Sequence, residues 1–216
     1  MTYCFALYFF RSTLNSMSNI IVLDLETQRS FKEVGKQNLH KLGVSVVGIY
    51  DYLTQTYECY EEKEMLQLDK RLREADLLIG FNIRRFDLPV LAPYLFTSAE
   101  NLPVLDLLET IEKARGHRAS LDSIAKPTLK LHKSGTGEDA LTLFQEGKIE
   151  ELKRYCLDDV KLTKEVYDYG LANAKIYFTS SWDYKTYEIP VSWAAETDEF
   201  LRAAKPAKAE FPTSLF

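Results

Sequence analysis

Short apolar runs separated by charged and polar segments dominate the first half of the chain. The runs Ile20–Leu25, Val44–Tyr50 and Tyr57–Tyr60 are rich in β-branched and aromatic residues, a pattern that predicts three strands paired as a meander. Apolar runs at Asp76–Phe81 and Leu102–Leu105 predict two further strands. Three strands followed by strands that alternate with helices predict an α/β fold with a mixed five-stranded sheet flanked by helices.

Between and after these strands, apolar and charged residues recur at the spacing of a helix. Charged positions predict a helix over Glu61–Ala75, and Asp87–Leu95 predicts a short helix that tolerates Pro89 in its first turn. Another helix is predicted from about Asp106, its capping residue, to Lys113. The longest helix is predicted over Ile149–Gly170.

The two ends of the chain differ from this core. Residues 1–17 are predicted to be an N-terminal extension, because the first strong strand follows only after them. Residues 18–175 hold the predicted α/β domain. Residues 176–216 combine an aromatic segment with an end rich in Ala, Lys and Pro, which indicates an aromatic arm or hairpin followed by a flexible tail.

The composition narrows the class of protein. With 216 residues, 46% of them hydrophobic, the chain has enough apolar side chains for one core at roughly 150 residues per domain. Its 32 Asp and Glu residues outnumber 27 Lys and Arg residues, which gives a formal net charge of -5. This balance argues against broad coating of nucleic acid, so any nucleic-acid binding has to be local.

Neither a membrane span nor a disulfide framework is indicated. The longest apolar run, Tyr3–Phe10, is shorter than the roughly 18 residues that a membrane-spanning helix needs, so we expect no membrane partner. Cys4, Cys59 and Cys156 are odd in number, far apart and without a Cys-x-x-Cys pair. This pattern favours neither disulfides nor a zinc site, and we expect a cytoplasmic protein.

Asp24 and Glu26 lie two positions apart at the end of the first predicted strand. The period of two along a strand directs both carboxylates to one face. Two close like charges repel each other unless a cation lies between them, and a hard divalent cation bound through oxygen fits this need. When such a pair of acids is taken alone, a solvated strand end is the commoner explanation. A metal site would therefore require further ligands.

A third acid lies in the segment GFNIRRFDLPVL. Asp87 begins a predicted helix, where the helix dipole stabilises a negative charge, so a capping role is one explanation. The functional explanation is that Asp87 faces the end of the first strand. Asn82 would then fix the turn, and Phe86 would offer a ring on which a base can stack.

The fourth acid lies in the helical segment ELKRYCLDDVKLTKEVYDYG. At about 100° per residue, Tyr155 and Asp159 share the apolar stripe, whereas Asp158 falls on the polar face. An inward Asp needs a partner, and Tyr155 lies four residues earlier on the same face. A buried Asp satisfied by a tyrosine is the alternative to a ligand role.

Together these residues resemble a known family. Asp-Leu-Glu at 24–26, Asn-x-x-x-Phe-Asp at 82–87 and Tyr-x-x-x-Asp at 155–159 are similar to the three motifs of the DEDD superfamily of 3′–5′ exonucleases. GFNIRRFDLP resembles the second motif of the proofreading domains of family B DNA polymerases, and YCLDDV resembles their third. The similarity runs from about residue 18 to residue 170. It indicates the tyrosine subclass, because Arg154 stands where the histidine subclass has His.

The resemblance implies a ribonuclease H-like fold and a two-metal mechanism of phosphodiester hydrolysis. Asp24, Glu26, Asp87 and Asp159 would hold two Mg²⁺ or Mn²⁺ ions, and Tyr155 would complete the catalytic set by orienting the attacking water. The implied enzyme is a nuclease that shortens a single strand from its 3′ end and releases nucleoside 5′-monophosphates.

The one clearly basic stretch runs from Arg115 to Lys133. Lys126 and Lys133 are predicted to bind phosphates of the substrate strand, with Asn82 and Phe86 as the other substrate-binding residues. A solvated loop with ordinary lysines explains each residue taken alone equally well.

Three functions fit these residues. DNA is the favoured substrate, because the second motif is most similar to proofreading domains, and proofreading would require a protein partner from replication or repair. A ribonuclease that trims RNA 3′ ends, with a partner from RNA processing, is the alternative on the same fold. A non-catalytic nucleic-acid-binding module is the third, and the retention of all four acids and Tyr155 argues against it.

Overall fold

The computed structural model describes residues 18–133 and 135–204 of the chain. The predicted N-terminal extension, residues 1–17, and the predicted tail from residue 205 onward lie outside the described residues. None of the described helices has the length and apolar character that a membrane span requires.

A mixed sheet forms the centre of the molecule. Its strands are β1 (Ile20–Thr27), β2 (Val44–Asp51), β3 (Thr56–Glu61), β4 (Leu77–Gly80) and β5 (Val104–Asp106). They lie in the order β3-β2-β1-β4-β5, in which β1, β2 and β3 pair antiparallel while β4 pairs parallel with both β1 and β5. The predicted meander and the predicted mixed five-stranded sheet are confirmed.

Helices cover both faces of this sheet. In chain order they are α1 (Phe31–Val34), α2 (Met65–Arg73), α3 (Asp87–Leu91), α4 (Leu107–Arg115), α5 (Leu121–Leu129), α6 (Gly137–Gln145), α7 (Ile149–Asn173) and α8 (Trp193–Ala204). The core on one face includes residues of α4, α5, α7 and α8, and the core on the other face includes residues of α2 and α3.

The central strand β1 is apolar on both sides because it lies between these two cores. Ile20 and Val22 pack into one core, whereas Ile21 and Leu23 pack into the other, as the period of two along a strand requires. Full burial of each such side chain contributes about 1.5–3 kcal/mol to folding. This packing fixes the position of the strand end, where Asp24 and Glu26 lie.

Two predicted helices are shorter in the structure. The helix predicted from Glu61 begins only at Met65, because Glu61 still pairs with Val46 in the sheet and the side chain of Glu64 caps its backbone N–H at 2.9 Å. The helix predicted from Asp87 to Leu95 gives way after Leu91 to a 3₁₀ turn. Pro93 lies in this turn and has no N–H with which to extend the α-helical hydrogen bonds.

The segment after α7 packs against the core. Strands β6 (Lys175–Thr179) and β7 (Thr186–Pro190) form an antiparallel hairpin, and α8 follows it. The side chain of Trp193 is fully buried and lies so close to Gly170 that a Cβ atom there would be 2.1 Å from the indole ring. Of the arm or hairpin that the sequence indicates for this segment, the structure therefore has the hairpin, and the helix that follows shares the core with it.

Candidate active site

Asp24 and Glu26 project from the same face of β1, on the side covered by α7. Asp24 is opposite Gly48 of β2, and Glu26 is opposite Val46. The β1–β2 register shifts immediately after Glu26, so the regular strand ends at the second carboxylate. The predicted orientation of the pair is thus explained by strand geometry alone.

Helix α7 carries Tyr155 and Asp159 against this strand end. Both side chains are buried, with Asp159 only 2% exposed, whereas Asp158 is exposed to solvent. The helical spacing predicted this division between the two neighbouring acids. It places one carboxylate of α7 beside β1 and directs the other away from it.

Three carboxylates meet where these two elements cross. One ligand oxygen from each of Asp24, Glu26 and Asp159 lies within 4.8 Å of the others. Oxygen atoms this close together, all from acids, are suited to a hard divalent cation such as Mg²⁺ or Mn²⁺.

Asp87 lies beside this group but is not one of the three converging carboxylates. It begins α3, is 3% exposed, and its carboxylate lies close to the backbone of Leu25, between the first two acids. Burial, followed by the charge of Asp24, raises its pKa well above the ordinary value. Its ligand role stays a prediction.

The electrostatic environment of Asp24, Glu26 and Asp159 favours either protonation of these carboxyls or the binding of a cation. Burial raises the pKa of Asp24 to about 8, with a further rise from Asp159 and an opposing effect of Lys133. Burial, together with repulsion from Asp24 and Asp159, raises the pKa of Glu26 to about 9. Burial also raises the pKa of Asp159, against the effect of Lys133. A divalent cation would relieve both the burial cost and the repulsion.

Lys133 forms an ion pair with one of the acids. Its Nζ lies 2.6 Å from Oδ2 of Asp159. Burial lowers the pKa of Lys133, but the charges of Asp159, Asp24 and Glu26 outweigh that effect, so its pKa is raised overall and the ammonium stays charged. Lys133 thus brings one positive charge into the acidic site.

Several buried oxygen atoms at this site have no hydrogen-bond partner in the described part of the chain. They are Oδ1 of Asp87, Oδ1 of Asp159 and the hydroxyl of Tyr155. Buried polar atoms are rarely left in this state, because each unsatisfied group costs about 1–3 kcal/mol. The oxygen-rich donor set and its unsatisfied atoms fit divalent metal ions and an ordered water.

Asp106, at the end of β5, anchors the loop that leads to Asp87. Its Oδ1 accepts hydrogen bonds from the backbone N–H groups of Asn82 (2.9 Å) and Leu108 (3.0 Å), and its Oδ2 accepts one from Arg84 (3.0 Å). Asn82 has a φ of 71°, in the left-handed region that asparagine tolerates better than most residues. The predicted helix cap is present, and the same carboxylate also anchors the loop of the second motif.

A cleft of about 730 Å³ opens above the carboxylates. Phe86 lines it, and its ring is 5.9 Å from that of Phe31, which is partly exposed. Lys32 and Lys36 also line the cleft and add positive charge to it. Sequence analysis missed Phe31 and the two lysines. A signal for these residues was present in the sequence, because a short segment with aromatic and basic residues directly follows the first motif.

The four predicted substrate-binding residues are placed differently. Phe86 and Lys133 line the cleft. Asn82 is not a lining residue, and its side-chain oxygen accepts a hydrogen bond from the guanidinium of Arg118. Lys126 is exposed on α5 and does not line the cleft either. Contact of Asn82 or Lys126 with a substrate stays a prediction.

Comparisons with known proteins agree with this architecture. A family model described as the RNase H superfamily matches residues 21–171. No match was found among curated proteins. The fold is similar to that of the family B DNA polymerase from the hyperthermophilic archaeon Pyrobaculum calidifontis, with 17% identity and a TM-score of 0.56 over 71% of this chain. That match spans only 24% of the polymerase. The EXO domain of Aedes aegypti Nibbler is similar at 15% identity and a TM-score of 0.51, over 90% of this chain and 91% of the domain.

Proposed function

The chain belongs to the RNase H superfamily, and on that premise we propose that it is a metal-dependent 3′–5′ exonuclease of the tyrosine subclass. It would hydrolyse phosphodiester bonds at the 3′ end of a single strand and release nucleoside 5′-monophosphates. The observation that carries this proposal is the convergence of Asp24, Glu26 and Asp159 within 4.8 Å, with the hydroxyl of Tyr155 buried beside them.

The proposed metal ligands are Asp24, Glu26 and Asp159, with Asp87 as the fourth carboxylate. Two bound Mg²⁺ or Mn²⁺ ions would supply the Lewis acidity that polarises the scissile phosphate and lowers the pKa of the attacking water. The buried oxygens of Asp87 and Asp159 that lack hydrogen bonds support this ligand set. The chain itself provides the fixed geometry, because its acids are held by a buried strand and a buried helix face.

Tyr155 would orient the attacking water through its hydroxyl. Burial, followed by the charges of Asp159 and Glu26, raises the pKa of Tyr155 far above its ordinary value. The phenol therefore stays protonated at neutral pH and serves as a hydrogen-bonding group rather than as a base.

Lys133 would contribute positive charge to the reacting phosphate. Its ammonium already lies at the acids, 2.6 Å from Asp159, and it lines the cleft. With the acids holding metal ions, the ammonium of Lys133 would be free to pair with the extra negative charge of the transition state.

The cleft supports a single-stranded substrate end. The paired rings of Phe31 and Phe86 offer an apolar surface on which a terminal base can stack, a contact that is tolerant of sequence. Lys32 and Lys36 line the same cleft, where they can pair with backbone phosphates. We favour DNA over RNA because of the second motif, and a replication or repair protein as the partner that would supply such ends.

The test is incubation of the purified protein with 5′-labelled single-stranded DNA and RNA of the same sequence, with Mg²⁺, Mn²⁺ or EDTA. We expect a metal-dependent ladder that shortens from the 3′ end, with the faster ladder on DNA. A 3′-labelled strand should release its label first as a mononucleotide.

Two other outcomes of this assay would each support one of the alternative functions. A faster ladder on RNA would establish the exoribonuclease. Binding of the oligonucleotides without any cleavage would leave only the non-catalytic module.

A further inference from the structure

We propose that Cys59 and Cys156 are an oxidation site at which a reversible disulfide switches off the active site. Nothing in the catalytic chemistry proposed above uses either thiol. The inhibitory effect rests on the proposed nuclease function, whereas formation of the disulfide does not.

The register of the sheet brings the two thiols together. Asp24 of β1 is opposite Gly48 of β2, and Gly48 is opposite Cys59 of β3, so the three residues form one row across the sheet. Residues directly opposite each other on neighbouring strands point to the same face. The side chain of Cys59 therefore points, like that of Asp24, to the face on which α7 lies.

Cys156 of α7 fills the gap in the middle of this row. Gly48 has no side chain, and a Cβ atom there would lie 3.0 Å from Sγ of Cys156 and 2.9 Å from Cγ2 of Val160. The Cys156 thiol donates its single S–H to the backbone carbonyl of Asp24, at 3.5 Å, and packs beside the Cys59 side chain on its other side. It thus lies directly between Cys59 and a proposed metal ligand.

The two cysteines have the exposures that a dithiol switch needs. Cys59 is partly exposed on the edge strand of the sheet, so a small oxidant can reach it, whereas Cys156 is fully buried behind it. When Cys59 is ionised, the S–H of Cys156 can turn from the Asp24 carbonyl to the Cys59 sulfur, and this contact, followed by the positive charge of Lys153 against the cost of burial, lowers the pKa of the Cys59 thiol. Thiolate character and access together favour Cys59 as the attacking sulfur.

Oxidised glutathione is a sufficient oxidant. The Cys59 thiolate attacks its sulfur–sulfur bond, which forms a mixed disulfide and releases one glutathione. The sulfur of Cys156 then attacks the Cys59 sulfur and releases the second glutathione. Two protein thiols are oxidised to one disulfide, one glutathione disulfide is reduced to two thiols, and the two protons pass to the released glutathiones.

The disulfide would disturb the metal site through α7. A sulfur–sulfur bond is about 2.05 Å long, so Cys156 has to move toward β3 from its non-bonded position. It also loses the proton that it donates to the carbonyl of Asp24. Tyr155 is adjacent to Cys156 and Asp159 is one turn further along the same helix, so both move relative to Asp24. Because a misplacement of about 1 Å can cost about a hundredfold in rate, we expect a decrease in kcat of about tenfold to a hundredfold.

The experiment compares the full chain carrying Cys4→Ser with the same chain carrying Cys4→Ser and Cys59→Ser; Cys4 lies outside the described residues. Both proteins are incubated with oxidised glutathione and then with dithiothreitol. Peptide mapping should find a Cys59–Cys156 linkage in the first protein, with a loss of nuclease activity that dithiothreitol reverses. The second protein should keep the activity of its reduced form throughout.

Two results would overturn the switch. One is a Cys59–glutathione adduct that never proceeds to the protein disulfide, and the other is complete linkage with unchanged kcat. If the reduced protein cleaves no nucleic acid at all, the proposed function fails while the mapping still decides whether the disulfide forms. In that case the affinity for Mn²⁺ of the linked and reduced proteins replaces kcat, and equal affinities would refute the switch.

Discussion

Metal binding at Asp24, Glu26 and Asp159 should release protons, because these acids are buried against one another. The pKa of Asp24 is raised to about 8 and that of Glu26 to about 9, against about 3.9 and 4.3 in an unfolded chain. At pH 7, therefore, both carboxyls are predominantly protonated in the metal-free protein. A metal ion binds the ionised carboxylates, so its binding expels protons, of which Asp24 and Glu26 alone supply about two.

The number of protons released determines how steeply the affinity for the metal depends on pH. Each proton released makes the apparent affinity for the metal rise about tenfold per pH unit below the pKa of the group. Two protons give an increase of about a hundredfold per unit between about pH 6 and pH 8. The same pKa values imply that the metal-free folded chain binds more protons than the unfolded chain between about pH 4 and pH 9. Its stability should therefore decrease as the pH rises through this window, and metal should restore it.

Isothermal titration with Mg²⁺ at pH 7, in two buffers of different ionisation enthalpy, measures the number of protons directly. Asp24→Asn should release about one proton fewer than the natural chain, whereas Asp158→Asn, which changes an exposed neighbour, should leave the count unchanged. Metal binding without proton release, and with the same affinity at pH 6 and pH 8, would refute the reasoning.

Two further predictions concern Tyr155 and Asp106, and Ser120 provides the control for Asp106. Replacement of Tyr155 by Phe removes the buried hydroxyl and should lower kcat by about tenfold or more with little change in Mg²⁺ affinity; an unchanged kcat in single-turnover assays would remove its proposed role. Replacement of Asp106 by Ala leaves three backbone N–H groups without their acceptor and should cost about 2–4 kcal/mol of stability in urea unfolding. It should also lower kcat at temperatures where the protein is folded. Ser120→Ala, which removes an ordinary helix cap, should cost about 1 kcal/mol without a change in kcat.

The strand and helix periods explain why much of the site could be predicted. Asp24 and Glu26 are two apart on a strand, and Tyr155 and Asp159 are four apart on a helix, so local geometry alone fixes the face that each pair occupies. The exposed position of Asp158 follows from the same helical spacing. These relations depend on residues close in the sequence and require no knowledge of the tertiary fold.

Contacts between distant segments could not be predicted in this way. The ion pair of Lys133 with Asp159 and the contact between the tilted rings of Phe31 and Phe86 depend on where loops return to the sheet. The hydrogen bonds of Asp106 to the loop of the second motif depend on the pairing of β4 with β5.

The same limit applies to the thiols and to the chain end. Cys59 meets Cys156 only because of the strand register and the glycine at position 48. Likewise, the aromatic composition after α7 indicated an arm or a hairpin, but only the fit of Trp193 against Gly170 shows why this segment packs into the core.

The measurement that tests the central claim most directly compares Asp159→Ala with Asp158→Ala on a 5′-labelled single strand in Mg²⁺. The two acids are adjacent in sequence and identical in chemistry, but Asp159 is buried beside Asp24 and Glu26, whereas Asp158 is exposed to solvent. We expect Asp159→Ala to abolish the ladder and to weaken Mg²⁺ binding, and Asp158→Ala to retain both. Equal losses in the two variants, or full activity in Asp159→Ala, would contradict the assignment of this cluster as the catalytic metal site.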